Sequence, residues 1–464
     1  MDWMYQTRVY QARRRRRADS CTATLDLAFG TTGYAIGRQA APVTLATVRT
    51  STAYYLSAAY GDTLLREAAA DTACYDISGG LWSRPGRVNL IDHNVGTDAV
   101  SATYWVAGSG LLGTLRWNTN VPMYAGGSIA CETDSEDPGD NFWLHKEDIT
   151  LAAKYYLIGL LVNISGGNSG SNPTNYVVPC CPTANNALTG NICSGNPGVT
   201  QGNQRYRYLF NYGSNAYFEV WEKVLGTVDT YNPGCRYPIG AGAADVVALT
   251  MYLDNDEATY ASGLGEWGGC IPNAAGAATT TLDSHKLTWA SADRAKLLPI
   301  RDDGEWAIVM EVAWGLNGSD FTAGQHPTTK EYLLSWGSYT KGDMIWWNYS
   351  NPGFWGQYLY DAATGQHEIV KQLARGTVPF TSMWVGVTGK PGVKATLWTG
   401  ATEAALFVGA GTESDGVQGT NSTQFANGVR LGAMDDQTIL DGNAIGGNLG
   451  GVIRRLKLYR RKLA

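Results

Sequence analysis

The residues that come closest to a catalytic pair in this sequence are two carboxylates, Glu305 and Glu311, within one predicted strand. Their even spacing places both on the same face of that strand. At about 3.3 Å per residue they are about 20 Å apart, whereas paired carboxyl chemistry on a sugar needs about 5–10 Å. This strand is therefore not expected to cleave glycosidic bonds.

Nucleophilic catalysis needs a histidine beside a serine or cysteine, and the sequence shows no such arrangement. The five histidines are scattered, and none follows a recognisable nucleophile elbow. We expect all of them to be structural or exposed: His93, His145, His285, His326 and His367. The sequence thus predicts no catalytic residue and a protein that is not an enzyme.

Metal binding receives weak support from the sequence. The eight cysteines form no Cys-x-x-Cys pair, and the adjacent Cys180 and Cys181 are badly placed to share one zinc ion. Buried thiols, with one or two disulfides near residues 180–193, are favoured. Calcium is the one cofactor that stays open. Its candidate oxygen ligands are Asp435, Asp436 and Asp441, although solvated loops explain these residues as well.

Aromatic side chains are the remaining candidates for ligand binding. Trp346 and Trp347 are adjacent, so they face opposite sides of a strand, and Tyr349 and Trp355 follow closely. Planar rings of this kind stack on sugars, and we take these four residues as the glycan-binding candidates. Packing in the core of a sandwich is the alternative explanation.

A basic run near the N-terminus is the strongest charge feature. It consists of Arg13, Arg14, Arg15, Arg16 and Arg17. Arginine forks bind carboxylates well, and we interpret the run as an arm that anchors the chain to acidic surface of a larger assembly. Nucleic acid is the lesser alternative, because the net charge of −6 argues against binding over the whole surface.

The composition predicts an all-β protein. Glycine accounts for 57 of 464 residues, and charged residues make up only 16%. The chain has 16 Trp and 26 Tyr but only 9 Phe. Many glycine turns and aromatics with few helix-forming charges are typical of sheets. No apolar run reaches transmembrane length, and no apolar segment follows the arginines as a secretory signal requires.

The stretch from Val43 to Ile91 organises the N-terminal part. It begins with Arg49-Thr50-Ser51-Thr52-Ala53, continues through Gly61 and the small residues 68–70, and ends at Asn89-Leu90. This order predicts a strand, a turn, a strand and an extended exit. It resembles a module of tailed-bacteriophage fibre and virion proteins, with Asp71 where that family usually has Asn. The resemblance implies an anchoring module that trimerises and precedes lectin-like sandwiches.

Two further regions read as sandwiches. Residues 95–270 contain many short strands around the apolar run 154–162, an order that resembles carbohydrate-binding-module jelly rolls. A low-complexity linker is expected at 271–283. Residues 284–464, with a complete set of strands, resemble concanavalin A-like (laminin-G-like) sandwiches in the closing strands 429–434 and 451–459. That fold serves lectins, glucanases and inert scaffolds alike.

Together these readings predict three β units: residues 1–94 with the basic arm and anchoring module, a jelly roll at 95–270, and a lectin-like sandwich at 284–464. The resemblances imply a homotrimeric fibre or surface projection of a phage virion. The arm would dock to capsid, portal, adaptor or tail proteins, and the sandwiches would face host-surface polysaccharide. A purely structural decorating protein and a tailspike depolymerase are the alternatives.

Overall fold

The computed structural model describes the chain in segments, and every structural statement below concerns these residues. They are 23–37, 41–56, 64–83, 87–94, 101–107, 114–118, 124, 128–132, 141–146, 148–152, 155–164, 178–180, 204–212, 215–225, 229–232, 234–238, 246–254, 278–280, 284–297, 304–314, 330–336, 343–348, 354–361, 365–372, 381–390, 392–408, 411–417, 428–432 and 451–460.

Strands dominate the described residues, which confirms the all-β prediction. In chain order they are β1 (Leu25–Phe29), β2 (Tyr34–Ile36), β3 (Thr44–Val48), β4 (Ala53–Leu56), β5 (Leu65–Ala68), β6 (Leu81–Ser83), β7 (Arg87–Asn89), β8 (Val106–Ala107), β9 (Thr114–Asn118), β10 (Ser128–Glu132), β11 (Asn141–His145), β12 (Ile149–Leu151), β13 (Tyr155–Ile164), β14 (Val178–Cys180), β15 (Gln204–Tyr212), β16 (Asn215–Leu225), β17 (Asp229–Tyr231), β18 (Gly234–Pro238), β19 (Val246–Asp254), β20 (Ala278–Thr280), β21 (Ser284–Thr288), β22 (Trp306–Trp314), β23 (Lys330–Trp336), β24 (Asp343–Asn348), β25 (Phe354–Asp361), β26 (Gly365–Gln372), β27 (Met383–Gly389), β28 (Lys394–Gly400), β29 (Thr412–Val417), β30 (Gly428–Leu431) and β31 (Gly451–Tyr459). The helical pieces are short: α1 (Arg294–Leu297) and 3-10 turns at Ser101–Tyr104, Ser291–Asp293 and Glu403–Ala405.

Two antiparallel sheets pack into the main sandwich. Sheet I has the order β2-β1-β31-β22-β27-β28-β29, with β6 also paired to β31, and sheet II has the order β26-β25-β24-β23-β30-β21-β3. Ile308 and Met310 of sheet I share one buried core with Leu287 and Leu431 of sheet II. The apolar run 306–310 is buried throughout, because the central strand β22 is covered on both faces.

Strands from the N-terminal part of the chain complete both sheets. In sheet I, β1 pairs with β31 so that Leu25 lies opposite Leu458 and Leu27 opposite Leu456. The other end of β31 pairs with β6. In sheet II, β3 pairs with β21. The N-terminal strands are therefore structural members of the C-terminal sandwich.

An ion pair fastens the first strand to the last. The Arg455 guanidinium donates two hydrogen bonds of 3.1 Å to the two carboxylate oxygens of Asp26. These hydrogen bonds, and then the charge of Asp26, raise the pKa of Arg455, although partial burial opposes the shift. Bidentate geometry fixes the register of β1 on β31 more firmly than a single contact would.

The region between β6 and β21 is an insertion into the sandwich. Its entry strand β7 and its exit strand β20 pair antiparallel, with Arg87 opposite Thr280 and Asn89 opposite Ala278. The chain thus leaves the sandwich and returns to it at one place. The expectation that residues 284–464 hold a complete set of strands is wrong, because β1, β3 and β6 come from before the insertion. The boundaries at 94 and 283 as limits of separate domains stay predictions.

A buried histidine holds the three strands at the insertion point. His285 in β21 has its Nδ1 atom 2.9 Å from Thr47 Oγ1 of β3, and its Nε2 atom contacts the carbonyl oxygen of Trp82 in β6. Since a carbonyl accepts only, Nε2 carries the proton and Nδ1 accepts from the hydroxyl. For His285 the expected structural role is confirmed.

Arg49 organises the stretch from 43 to 91. It is buried, and its side chain donates to the carbonyl oxygens of Ser51 at 2.9 Å and Ala69 at 2.8 Å. Its backbone exchanges hydrogen bonds with Asp71, which adopts a left-handed φ of 59°. Asn and Asp tolerate this conformation, so Asp71 adopts it with little strain. The two predicted strands are present as the antiparallel pair β4–β5. The turn predicted at Gly61 lies outside the described residues.

The inserted region builds its own sheets. Sheet III has the order β15-β16-β13-β19-β10-β9, with β7 and β20 attached, and sheet IV has the order β14-β18-β11-β8. In β13 the residues Ile158, Leu160, Leu161 and Val162 are all buried. The prediction of a buried strand, and not a helix, in this apolar run is confirmed.

Candidate functional site

A turn directly after β7 begins a cluster that combines aromatic, imidazole, carboxylate and ammonium side chains. The Asn89 side chain donates to the Ile91 carbonyl at 3.2 Å and accepts from the Ile91 amide at 3.1 Å. These bonds reverse the chain, and His93 follows with a left-handed φ of 47°. Few residues other than glycine adopt this conformation, so surrounding contacts must hold it.

Two aromatic residues supply those contacts. The Trp105 indole donates to the His93 carbonyl at 2.8 Å. The ring of Tyr104 lies against the His93 imidazole, with centroids 3.5 Å apart and planes only 3° from parallel. Tyr104 is 45% exposed and His93 is half-buried. The turn therefore presents a flat, solvent-accessible stack of two rings, here called the His93–Tyr104 stack.

A lysine lies beneath the stack. β11 pairs with β8, and Lys146, directly after β11, reaches Asp92 Oδ1 at 3.1 Å and the Tyr104 carbonyl at 2.9 Å. Its ammonium also lies 5.5 Å from the Tyr104 ring centroid and 6.0 Å from that of Trp105. The Lys146 side chain is only 8% exposed, whereas that of Asp92 is 42% exposed. The cation is thus enclosed, and the carboxylate is accessible at the rim.

His145 contributes by remaining neutral. It is 1% exposed, and burial lowers its pKa to about 4. A buried imidazole that stays uncharged at neutral pH avoids repelling the adjacent ammonium of Lys146. The local charge of the cluster is therefore set by the Lys146–Asp92 pair.

This arrangement suits a ligand with both apolar faces and hydroxyl groups. Flat rings pack against the C–H faces of sugars, while a fixed carboxylate and an imidazole exchange hydrogen bonds with hydroxyls. Asp92 lies 3.1 Å from the Lys146 ammonium, at the accessible rim of the cluster, where it can accept hydrogen bonds.

Sequence reasoning missed this site. His93 and His145 were expected to be structural or exposed, and Asp92, Tyr104 and Lys146 were not singled out. The groups come from three segments separated in the chain, so spacing carries no signal. The sequence offers one clue, the polar run Asp92-His93-Asn94 immediately after the apolar Leu90-Ile91 that follow β7.

Three of the predicted glycan-binding residues lie in described strands of sheet II. Trp347 in β24 is directly opposite Trp355 in β25. In the same strand Ile345 pairs with the buried Leu334. That these residues bind glycan stays a prediction.

The other predicted sites lie outside the described residues: Tyr349, the arginines Arg13–Arg17, and the calcium candidates Asp435, Asp436 and Asp441. Within the described part of the chain, no group of three or more His, Cys, Asp and Glu side chains is arranged to hold a metal ion. No described helix is long and apolar enough to span a membrane.

Comparison with known proteins gives a weak structural likeness. No protein-family model matches the chain, and no curated protein matches it either. A solved structure of the N-terminal CBM22-1–CBM22-2 tandem domain of Paenibacillus barcinonensis Xyn10C is similar over 81% of this chain and 98% of that one. The identity is 9% and the TM-score is 0.24, values too low to support a conclusion about function.

Proposed function

We propose that this chain is a glycan-binding structural protein of a phage particle and that the His93–Tyr104 stack is a glycan contact. The observation that carries the binding proposal is an exposed stacked pair of rings bordered by an accessible carboxylate. Placement on a virion rests on the resemblance of residues 43–91 to phage fibre modules, as do anchoring through Arg13–Arg17 and trimer formation.

Binding without cleavage is the mode that the cluster favours. Retaining and inverting glycosidases need one carboxyl that is protonated and a second one nearby. Asp92 forms an ion pair of 3.1 Å with the buried Lys146, an arrangement that suits a hydrogen-bond acceptor. The proposal is therefore adhesion to host-surface polysaccharide, with no bond broken.

Replacing Tyr104 with alanine is expected to weaken glycan binding about tenfold, the equivalent of about 1.4 kcal/mol. Loss of the ring removes the exposed stacking surface, while Lys146 keeps its contacts with Asp92 and the backbone carbonyl of residue 104. Binding is measured on an array of purified bacterial surface polysaccharides, then by calorimetry with the polysaccharide that binds best.

Two matched variants accompany this experiment. Tyr104→Phe keeps the ring and should bind nearly as well as the wild type, whereas Val408→Ala changes a residue that is 74% exposed elsewhere and should have no effect. All variants should melt cooperatively at similar temperatures. Unchanged binding by a folded Tyr104→Ala protein would contradict the proposed site and favour a purely structural role.

A further inference from the structure

One flank of the main sandwich ends in two strands that expose apolar side chains. Among the described strands, β2 is the last of sheet I and β3 is the last of sheet II. They lie on the same flank, because β29 and β26, the strands at the opposite ends of the two sheets, contact each other. Ile36 in β2 is 50% exposed and Val48 in β3 is 53% exposed. Apolar surface therefore reaches solvent at the end of both sheets.

The outward side chains of β3 are small and uncharged. Thr44, Ala46 and Val48 are all exposed, whereas Thr47 points inward and is buried, as the alternation of a strand requires. On one side β3 pairs with β21, and no described strand pairs with its other side. We call this second side of Thr44–Val48 the β3 edge. A strand at the end of a sheet presents unpaired backbone N–H and C=O groups to a further strand.

Proteins usually protect such edges against pairing with another chain. Charged side chains, a proline within the strand or a very short strand serve this purpose. β3 is five residues long and contains no charged residue and no proline. Protection begins only at its ends, where Pro42 precedes the strand and the backbone of Arg49 exchanges hydrogen bonds with Asp71. The β3 edge is therefore a pairing surface five residues long.

We propose that two copies of this chain pair antiparallel through their β3 edges, about a two-fold axis. Outward residues must face outward residues, since a slip of one residue exchanges the two sides of a strand. The register with Ala46 opposite its own copy meets this condition and overlaps all five residues. There the exposed Thr44 faces Val48 of the second copy, a β-branched pair that suits a sheet. On the core side Leu45, which is half-buried, faces Thr47 of the second copy and is covered.

The charges at this edge allow a second copy to approach. Because β3 is uncharged, two copies of it meet without like charges in opposite positions. Lys286, which lies opposite Ala46 in β21, would be three strand spacings, about 14 Å, from its own copy. Salt screens charges at that distance, since the Debye length is about 8 Å at physiological ionic strength. One strand pair buries less than the about 1,600 Å² of a standard interface, so we expect a weak dimer.

Sedimentation velocity of the full chain, between about 1 and 200 µM, tests the pairing. The wild-type chain should shift from one chain to two as the concentration rises. Thr44→Glu with Val48→Glu sets like charges opposite each other at both ends of the paired strands and should weaken association about tenfold. Thr44→Lys with Val48→Glu sets opposite charges in the same places and should restore association to within about threefold of the wild type.

Val393→Glu with Val408→Glu is the matched control. Both valines are exposed outside β2 and β3, and the change adds the same charge as the like-charge variant, so association should stay as in the wild type. All these substitutions are at exposed positions, so the variants should melt cooperatively at similar temperatures.

Ala46→Cys provides a second readout that does not depend on charge. In the proposed register the two Cα atoms at position 46 lie about 4.5–5.5 Å apart, a distance that a disulfide spans. Oxidised glutathione should therefore link two chains of this variant, and the wild-type chain treated in the same way shows whether its own cysteines do so. This readout decides the matter if a doubly charged variant fails to fold.

The pairing joins two chains, so it is separate from trimer formation, and it does not rest on the His93–Tyr104 stack. A wild-type chain that stays single at all concentrations would overturn the proposal. So would association that the like-charge variant leaves unchanged, that the control weakens equally, or that the opposite-charge variant does not restore. Association that follows the sign of the charge at position 44, with a disulfide at position 46, would establish the β3 edge and its register.

Discussion

A fragment of residues 284–464 is expected not to fold, whereas the same fragment joined to residues 23–83 is expected to fold cooperatively. The fragment lacks β1 and β6, which flank β31 in sheet I, and β3, which pairs with β21 in sheet II. Leu25, Leu27 and Leu81 would be absent from the core, although each is fully buried in the intact chain. Loss of this many buried side chains exceeds the marginal stability of a domain.

The joined chain is feasible because the insertion leaves and returns at one place. The carbonyl of Trp82 contacts the His285 imidazole, so Ser83 and Ser284 need only a short connection. A linker of four glycine and serine residues, which reaches about 13 Å, should replace residues 84–283. Thermal unfolding followed by circular dichroism compares the two proteins. A cooperative transition in the 284–464 fragment alone, or none in the joined chain, would refute the discontinuous sandwich.

Replacing Arg49 with leucine is expected to lower the free energy of unfolding by about 3 kcal/mol. Arg49 is 1% exposed and donates to the carbonyl oxygens of Ser51, Ala68 and Ala69, and leucine would leave the buried Ala68 carbonyl without this donor. Arg49→Lys should recover part of the loss, because an ammonium cannot reproduce the fork of donors.

Urea unfolding of the intact chain measures this effect. Arg460→Leu is the control, since Arg460 is exposed at the end of β31 and should change stability by less than about 0.5 kcal/mol. If Arg49→Leu were as stable as Arg460→Leu, the hydrogen bonds of Arg49 would not be what holds the stretch from 43 to 91 together.

Local patterns in the sequence predicted the strands well. The strands predicted at 154–162 and 305–314 correspond to β13 and β22, and the closing strands predicted at 429–434 and 451–459 correspond to β30 and β31. Long-range pairing was not predictable in the same way. Leu25 and Leu458 are opposite each other from the two ends of the chain, and an apolar strand of five residues does not specify its partner.

The candidate site was less predictable than the fold. The His93–Tyr104 stack depends on a left-handed turn, on the indole of Trp105 and on a lysine brought near by the pairing of β8 with β11. None of these follows from residue spacing. The sequence predicted a binding surface at Trp346, Trp347 and Trp355 from their aromatic side chains. Adjacent tryptophans in a strand face opposite sides of the sheet, and their spacing alone does not tell which of them faces the core.

The central claim is that the inserted region contacts glycan at the His93–Tyr104 stack and leaves the glycan intact. Hydrogen–deuterium exchange of the full chain, with and without the array-selected polysaccharide, tests it most directly, with the polysaccharide recovered afterwards for measurement of reducing ends. We expect slower exchange at residues 91–94 and 103–107 and no new reducing ends. Unchanged exchange in both segments, or release of reducing ends, would contradict the claim.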